Sequence, residues 1–158
     1  MEVRQIPMAQ LRGLLDEQLA HGEALLPVTG ESMWPLLAGG RDMVRLARLD
    51  RRAQPGDIAL YQKADGSYIL HRVIRLCAPE TCIFCGDAQW EGEQVDEAQI
   101  IAYVTAFRRK GRWRETALSR PYRFYERFWV HTFPARRPLL RLLRFLQRAR
   151  RGLIRGRR

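Results

Sequence analysis

The stretch that decides the fold runs from Val28 to Leu37 and has the sequence VTGESMWPLL. It holds one serine, Ser32, between a glycine and a proline inside an apolar run. Gly30 permits backbone angles that other residues avoid, and Pro35 resists helix continuation, so we expect Ser32 on a tight, exposed corner. A serine hydroxyl is a weak nucleophile and needs a base within hydrogen-bond reach. The stretch therefore predicts a nucleophile only if the chain also supplies a base.

Beyond this stretch the sequence is dominated by short β-branched and aromatic runs between glycine-bearing turns. These runs predict a mainly β core, with strands over residues 43–46, 57–62, 68–76, 81–85 and 100–107. Lys63–Ser67 predicts a hairpin connection, because its Asp-Gly pair supplies the positive φ of a tight turn. Alternation along the following strand places His71 on the same face as Ile69 and Val73, where its ring can be held rigidly.

Five short motifs follow one another along the chain: GESMWP at 30–35, GRDMV at 40–44, PGDIA at 55–59, YILHRVI at 68–74 and CGDA at 85–88. Together they resemble the superfamily of serine peptidases that contains the type I signal peptidases and the self-cleaving SOS repressors. The resemblance covers residues 25–109. It implies a signal-peptidase-like coiled β core with an N-terminal helix and basic C-terminal helices, and a serine endopeptidase that processes a peptide or protein precursor.

The resemblance also implies roles for individual residues, with Ser32 as nucleophile and His71 as general base. Bacterial signal peptidases and SOS repressors use lysine as the base, whereas histidine is typical of the archaeal and endoplasmic-reticulum branch and of small stand-alone bacterial relatives. Neutral imidazole, with an ordinary pKa of about 6.5, can accept the serine proton at physiological pH. Asp87 is predicted to orient the imidazole, with Asp96 as the alternative.

Oxyanion stabilisation is expected from the backbone N–H of Ser32. Some relatives carry a second hydroxyl two residues before the nucleophile, but glycine occupies that position here. Thr29 is the candidate substitute donor.

The two ends of the chain lie outside the resemblance. Leu11, Leu14, Leu15 and Leu19 recur at helical spacing, which predicts an amphipathic helix over Met8–Gly22. Residues 1–109 are therefore expected to form the peptidase-like domain and residues 110–158 a basic, helical appendage. Charge supports this division, because residues 2–107 hold 10 basic and 15 acidic side chains, whereas residues 108–158 hold 18 basic and 2 acidic ones.

Two helices are predicted in the appendage, over residues 121–129 and 138–154. In the second helix leucines fall on one face and arginines on another, the pattern of a helix at an anionic membrane surface, so we expect peripheral membrane contact through 137–155. A helix docked on its own domain remains an alternative. Nucleic-acid binding is less favoured, because nothing would then cover the leucine face. The competing functional class is a non-catalytic binding module that uses this basic segment.

The sequence also bears on the location of the protein and on metal binding. No stretch approaches the roughly eighteen apolar residues of a spanning helix, and the N-terminus lacks the features of an export signal, so a cytoplasmic location is expected. Cys77, Cys82 and Cys85 provide three thiols, fewer than the four ligands of a typical structural zinc site. We therefore expect reduced thiols, no metal and no cofactor.

Overall fold

A computed structural model of the chain describes the backbone of residues 8–77 and 79–155, and the side chains of residues 12–77 and 79–149. Eight strands and three α-helices are present in this part of the chain. In chain order they are α1 (Met8–Ala20), β1 (Glu23–Pro27), β2 (Met43–Ala47), β3 (Ile58–Gln62), β4 (Tyr68–Cys77), β5 (Thr81–Cys85), β6 (Glu93–Asp96), β7 (Ile100–Arg109), β8 (Arg112–Glu115), α2 (Arg120–His131) and α3 (Arg136–Arg155).

The strands form one antiparallel sheet in the order β1-β2-β7-β3-β4-β5-β6, with β8 paired to β7. The prediction of a mainly β structure with C-terminal helices is confirmed. Three short strands were missed, β1, β6 and β8. β8 is RWRE and lacks alternation, β6 is EQVD with one apolar residue, and β1 contains proline, so none of them carries the usual strand pattern.

Local predictions agree closely with the observed elements. α1 ends two residues before the predicted stop, and the 63–67 hairpin closes through a 2.9 Å bond from the Lys63 N–H to the Ser67 carbonyl. Gly66 has the positive φ, +85°, that this turn requires. Leu11 and Leu153, which were assigned to helix faces, fall outside the described side chains.

The two faces of the sheet bury two apolar clusters. One contains α1 through Leu15 and Leu19, together with Met33, Leu36 and Leu37 of the serine-bearing segment. The other is built around Tyr61, Val73 and Phe84. Alternate residues of β4 therefore enter different clusters, so adjacent side chains on that strand have different surroundings.

The C-terminal helices pack against the sheet over part of their length. Tyr122 and Trp129 of α2 and Leu140 of α3 are buried, and Tyr122 belongs to the same cluster as Leu36. Residues 122–140 are therefore docked on the rest of the domain, the arrangement that was given as the alternative to membrane contact. Within the described residues, no helix is long and apolar enough to cross a membrane.

Candidate active site

Ser32 lies in a turn outside any regular element, as its sequence context predicts, and it is partly exposed. Met33 and Leu37 on either side of the turn are buried at 1% and 0% exposure, which fixes the segment to the core. Gly30 does not have a positive φ, so the reason given for that glycine was wrong. The glycine that this loop requires is Gly39, because a Cβ there would lie 2.5 Å from the carbonyl oxygen of Thr29.

His71 projects from β4 into the cluster around Tyr61, Val73 and Phe84, and only 7% of it is exposed. It pairs across the ladder with Ala59 of β3. Its strand neighbours Ile69 and Val73 lie in the same cluster, as the alternation predicts. The imidazole is therefore held between apolar side chains on one face of the sheet.

Ser32 and His71 meet at Gly86. A Cβ on Gly86 would lie 2.6 Å from the Ser32 carbonyl oxygen and 3.1 Å from His71 Nε2, so only glycine fits between them. Two residues later, the N–H of Ala88 donates to the Ser32 carbonyl at 2.7 Å. The CGDA motif thus joins the serine turn to the histidine strand. Within the part of the chain that the structure describes, Ser32 Oγ makes no hydrogen bond to His71.

His71 Nδ1 faces Tyr61, whose phenolic oxygen lies 3.3 Å away. The Tyr61 hydroxyl donates to Glu93 Oε2 at 3.4 Å, and Glu93 also forms an ion pair with Lys63 at 2.9 Å. Because the Tyr61 proton is directed to the carboxylate, its oxygen can accept a hydrogen bond from a protonated Nδ1. In that tautomer Nε2, the nitrogen beside Gly86, carries no proton and can act as a base.

Burial controls the charge of this histidine. Removal from water lowers the pKa of His71 to about 4, against the opposing attraction of Glu93 and Asp87. At physiological pH the ring is therefore neutral, which is the state that a general base needs. Burial, reinforced by the charge of Glu93, raises the pKa of Tyr61 well above its ordinary value, so the phenol keeps its proton.

Asp87, predicted to orient His71, is fully buried and its carboxylate is occupied elsewhere. Arg72 donates to both of its oxygens at 2.8 Å, and the Tyr125 hydroxyl donates to Oδ2 at 3.0 Å. The structure does not bring Asp87 into hydrogen-bond contact with His71. Burial by itself would lower the pKa of the Arg72 guanidinium. The charge and hydrogen bonds of Asp87 act in the opposite direction, and the pKa is raised above its ordinary value.

Asp96, the alternative orienting residue, lies far from His71. It is the last residue of β6 and pairs with Thr81, which in turn pairs with Cys77 at the end of β4. His71 precedes Cys77 by six residues, about 20 Å along a strand. Asp96 is also exposed, so the structure gives it no part in the site.

Residues of the C-terminal helices hold the CGDA motif in place, and no sequence pattern indicated this. Trp129 of α2 donates its indole N–H to the Asp87 carbonyl at 3.2 Å. Arg136 of α3 is fully buried and donates to the Gly86 carbonyl at 3.2 Å and the Trp129 carbonyl at 2.8 Å. Its guanidinium also lies over the Phe133 ring. The segment predicted to be an appendage therefore supports the CGDA turn, which lies between Ser32 and His71 in space.

An open cleft of about 510 Å³ lies beside His71. Its walls come from β5, from the loop that follows it, from β6 and from α3; they include Phe84, Gln89, Trp90, Glu91, Glu93 and Arg144. The cleft is large enough for several side chains of a peptide. Because Arg144 belongs to α3, the C-terminal segment also contributes to this surface.

The cysteines lie along β4 and β5, where Cys82 and Cys85 are buried and Cys77 is partly exposed. Burial raises the pKa of the Cys85 thiol to about 11, against the opposing charge of Arg136. Among the described residues, no group of three histidine, cysteine or carboxylate side chains has the arrangement of a metal site.

Comparison with protein-family models and with curated proteins finds no match to this chain.

Proposed function

We propose that the protein is a serine peptidase of the signal-peptidase-like superfamily, with Ser32 as nucleophile and His71 as general base. A peptide or protein precursor that binds in the cleft beside His71 is the proposed substrate. The observation that carries the proposal is the position of Gly86, which touches both the Ser32 carbonyl and His71 Nε2. Two residues 39 positions apart in the sequence are thereby placed against one glycine.

The proposed reaction is acyl transfer in two steps. Ser32 Oγ attacks the carbonyl carbon of the scissile peptide bond while His71 Nε2 takes the hydroxyl proton. The resulting imidazolium gives that proton to the leaving amine, and water then hydrolyses the acyl-serine with His71 again acting as base. The N–H groups of Ser32 and Met33 donate to no protein acceptor among the described residues, so both are free to bind the oxyanion.

The contacts favour Tyr61 and Glu93 for orienting the imidazole. In the proposed tautomer the Nδ1–H donates to Tyr61, and Glu93 brings a negative charge close to the imidazolium that forms during the reaction. Asp87 as the orienting carboxylate remains a prediction. The nucleophile–base hydrogen bond in unliganded enzymes is commonly long and shortens when substrate binds, which accommodates the geometry of Ser32 and His71.

A fluorophosphonate probe tests the proposal without knowledge of the natural substrate, because it labels only activated serines. The full-length protein should gain one probe adduct on Ser32, detected by intact-mass and peptide mass spectrometry. Ser32→Ala should abolish labelling, and His71→Gln should slow it by about a thousandfold, within the range for loss of a general base.

Ser67→Ala is the matched control, since this hydroxyl already donates to Asp65 in an exposed turn. It should leave the labelling rate unchanged. Absence of a Ser32 adduct in folded protein, or equal labelling of wild type and His71→Gln, would reject the peptidase and favour the non-catalytic binding module.

A second proposal concerns the outer face of α3, which is apolar and uncovered. Leu142, Phe145 and Leu146 are each more than half exposed. Arginines flank them on the same helix, including Arg141, Arg144 and Arg148, and a helix with these two faces suits an anionic bilayer surface. We propose that residues 137–155 contact anionic membrane peripherally, whereas nucleic acid would leave the apolar face uncovered.

Vesicle co-sedimentation tests this second proposal. The protein should sediment with phosphatidylglycerol vesicles and not with phosphatidylcholine vesicles, and Phe145→Gln with Leu146→Gln should reduce binding about tenfold or more, since burial of each side chain contributes about 1.5–3 kcal/mol. Leu76→Gln on β4 is the matched control, because Leu76 is similarly exposed at 48%. Equal binding of the two variants would show that α3 does not insert.

A further inference from the structure

A second cavity, of about 590 Å³, lies on the sheet face opposite His71. Its base is apolar and includes Leu36 and Phe107, which belong to the cluster containing α1. Its rim is strongly basic and carries Arg109, Lys110, Arg112 and Arg114. No acidic side chain lines it among the residues that the structure describes. The cavity is separate from the cleft beside His71, because the two open on different faces of the sheet.

The register of the β7–β8 hairpin concentrates this charge. Arg109 is directly opposite Arg112, and Arg114 is opposite Phe107, so all three arginines share the face that lines the cavity. Like charges directly opposite each other across two strands are destabilising. The other face of the hairpin is different, because there Arg45 and Arg108 stack on Trp113 and Arg45 pairs with Glu115. Among the described residues, an ion pair is thus present on one face of the hairpin and absent from the other.

None of the four basic side chains at the rim forms an ion pair with any residue that the structure describes. Arg109 Nε is buried and has no hydrogen-bond partner in this part of the chain. Buried polar groups are normally satisfied, and an unsatisfied guanidinium N–H beside a cavity indicates a position for an acceptor atom. An anionic ligand in the cavity would supply such an acceptor.

The N-terminus of α2 faces the same cavity through Ser119 and Pro121. Ser119 makes no side-chain capping bond, and the first turn of α2 contains no acidic residue. The N-terminal end of a helix carries partial positive charge and unpaired N–H groups, which favour an anion. The helix thus adds to the positive potential of the arginine face.

We propose that this cavity binds a phosphate-bearing ligand. Several guanidinium groups on one face supply the paired, planar donors that match phosphate oxygens. Because they carry several positive charges, they favour a ligand with more than one negative charge. Phosphate alone would leave most of the 590 Å³ cavity empty, and the apolar base suits an organic group attached to the phosphate. This chemistry is shared by soluble phosphorylated molecules and by phospholipid headgroups.

Isothermal titration of the full-length protein with pyrophosphate is the primary test. Wild type should bind one equivalent, and Arg109→Gln and Arg112→Gln should each weaken binding about tenfold or more, as expected for loss of one charge-assisted hydrogen bond. Arg75→Gln on β4 is the matched control, because Arg75 is exposed and lies outside both the cavity rim and α3. It should bind like wild type.

Arg112→Glu provides a second readout that separates site loss from unfolding. It places a carboxylate opposite Arg109, so it should raise the melting temperature without ligand by about 2 °C and abolish the increase that pyrophosphate causes in wild type. Equal weakening by Arg75→Gln, absence of pyrophosphate binding, or a lower melting temperature in Arg112→Glu would each overturn the proposal.

A final experiment distinguishes a phospholipid headgroup from a soluble phosphorylated molecule as the ligand. Phosphatidylcholine vesicles that contain phosphatidic acid are compared with inorganic phosphate and pyrophosphate, for wild type and Arg112→Gln. A lipid headgroup is identified if vesicle binding depends on Arg112 and soluble phosphates compete weakly. A soluble ligand is identified if pyrophosphate binding depends on Arg112 and vesicle binding does not.

Discussion

His71 and Arg72 are neighbours on β4 and both are buried, yet the protein treats their charges in opposite ways. His71 lies among apolar rings with a phenol as its nearest polar neighbour, and burial lowers its pKa to about 4. Arg72, on the other face, keeps its charge because both Asp87 oxygens face it at 2.8 Å. Similar burial therefore produces a neutral base on one face and a fixed ion pair on the other.

The difference shows that burial alone does not decide charge. A buried group ionises only when a specific partner compensates for the lost hydration. Asp87, Gly56, Tyr122 and Tyr125 all contact Arg72, whereas among the described residues the one side-chain hydrogen-bond partner of His71 is the neutral phenol of Tyr61. A substitution that removes a partner of Arg72 should therefore have a different kind of effect from one that removes the partner of His71.

Asp87→Asn should have the largest effect on stability. It leaves the Arg72 guanidinium buried without its counter-charge, which costs about 3–5 kcal/mol. Urea denaturation at neutral pH measures this loss as a lower free energy of unfolding. Asp96→Asn, at an exposed end of β6, is the matched control and should cost less than about 0.5 kcal/mol.

The same variant separates a structural from a catalytic role for Asp87. If Asp87 acts only by neutralising Arg72, Asp87→Asn lowers the free energy of unfolding. Labelling of Ser32 then decreases only in proportion to the fraction of protein that remains folded. Loss of labelling with an unchanged free energy of unfolding would make Asp87 a direct partner of His71 instead.

His71 should make the protein acid-sensitive. Its pKa is about 4 when folded and about 6.5 when unfolded, so between these values the unfolded chain binds more protons and acid favours unfolding. Below about pH 4 the loss amounts to about 3 kcal/mol relative to neutral pH. Denaturation curves collected from pH 7 to pH 4 should lose this component in His71→Gln.

His21→Gln is the control for the pH experiment, because His21 is exposed at the end of α1. Its stability curve should run parallel to that of wild type. A His71→Gln curve with the wild-type slope would show that His71 is charged, or solvated, in the folded protein.

Tyr61→Phe should have the smallest effect of the three. It removes the hydroxyl between His71 and Glu93 but keeps the ring, which packs on Phe84 with centroids 4.8 Å apart. We expect the rate of Ser32 labelling to fall about tenfold, the value of one hydrogen bond of roughly 1.4 kcal/mol, with little change in stability.

Tyr68→Phe is the matched control, since the Tyr68 hydroxyl is buried and has no hydrogen-bond partner among the described residues. Its labelling rate should equal that of wild type. If both variants label at the wild-type rate, Tyr61 does not orient the histidine.

Much of the fold could be predicted because it depends on local patterns. The alternation in β4 predicted the faces of Ile69, His71 and Val73, and the Asp-Gly pair predicted the 63–67 hairpin. β8 was missed because its charged residues carry no alternation, and its position depends on pairing with β7. The Tyr61–Glu93 contact was missed because the two residues are 32 positions apart on strands that do not pair with each other.

The sequence by itself determined five of the eight strands, the helices, the turn that carries Ser32 and the uneven distribution of charge, because each follows from neighbouring residues. Only the tertiary structure decided that Arg72 binds Asp87, that Tyr61 faces His71 and that Arg136 holds Gly86. These contacts join residues that are distant in the chain, and their energies depend on burial and on hydrogen-bond geometry, which exist only after the sheet and helices have packed.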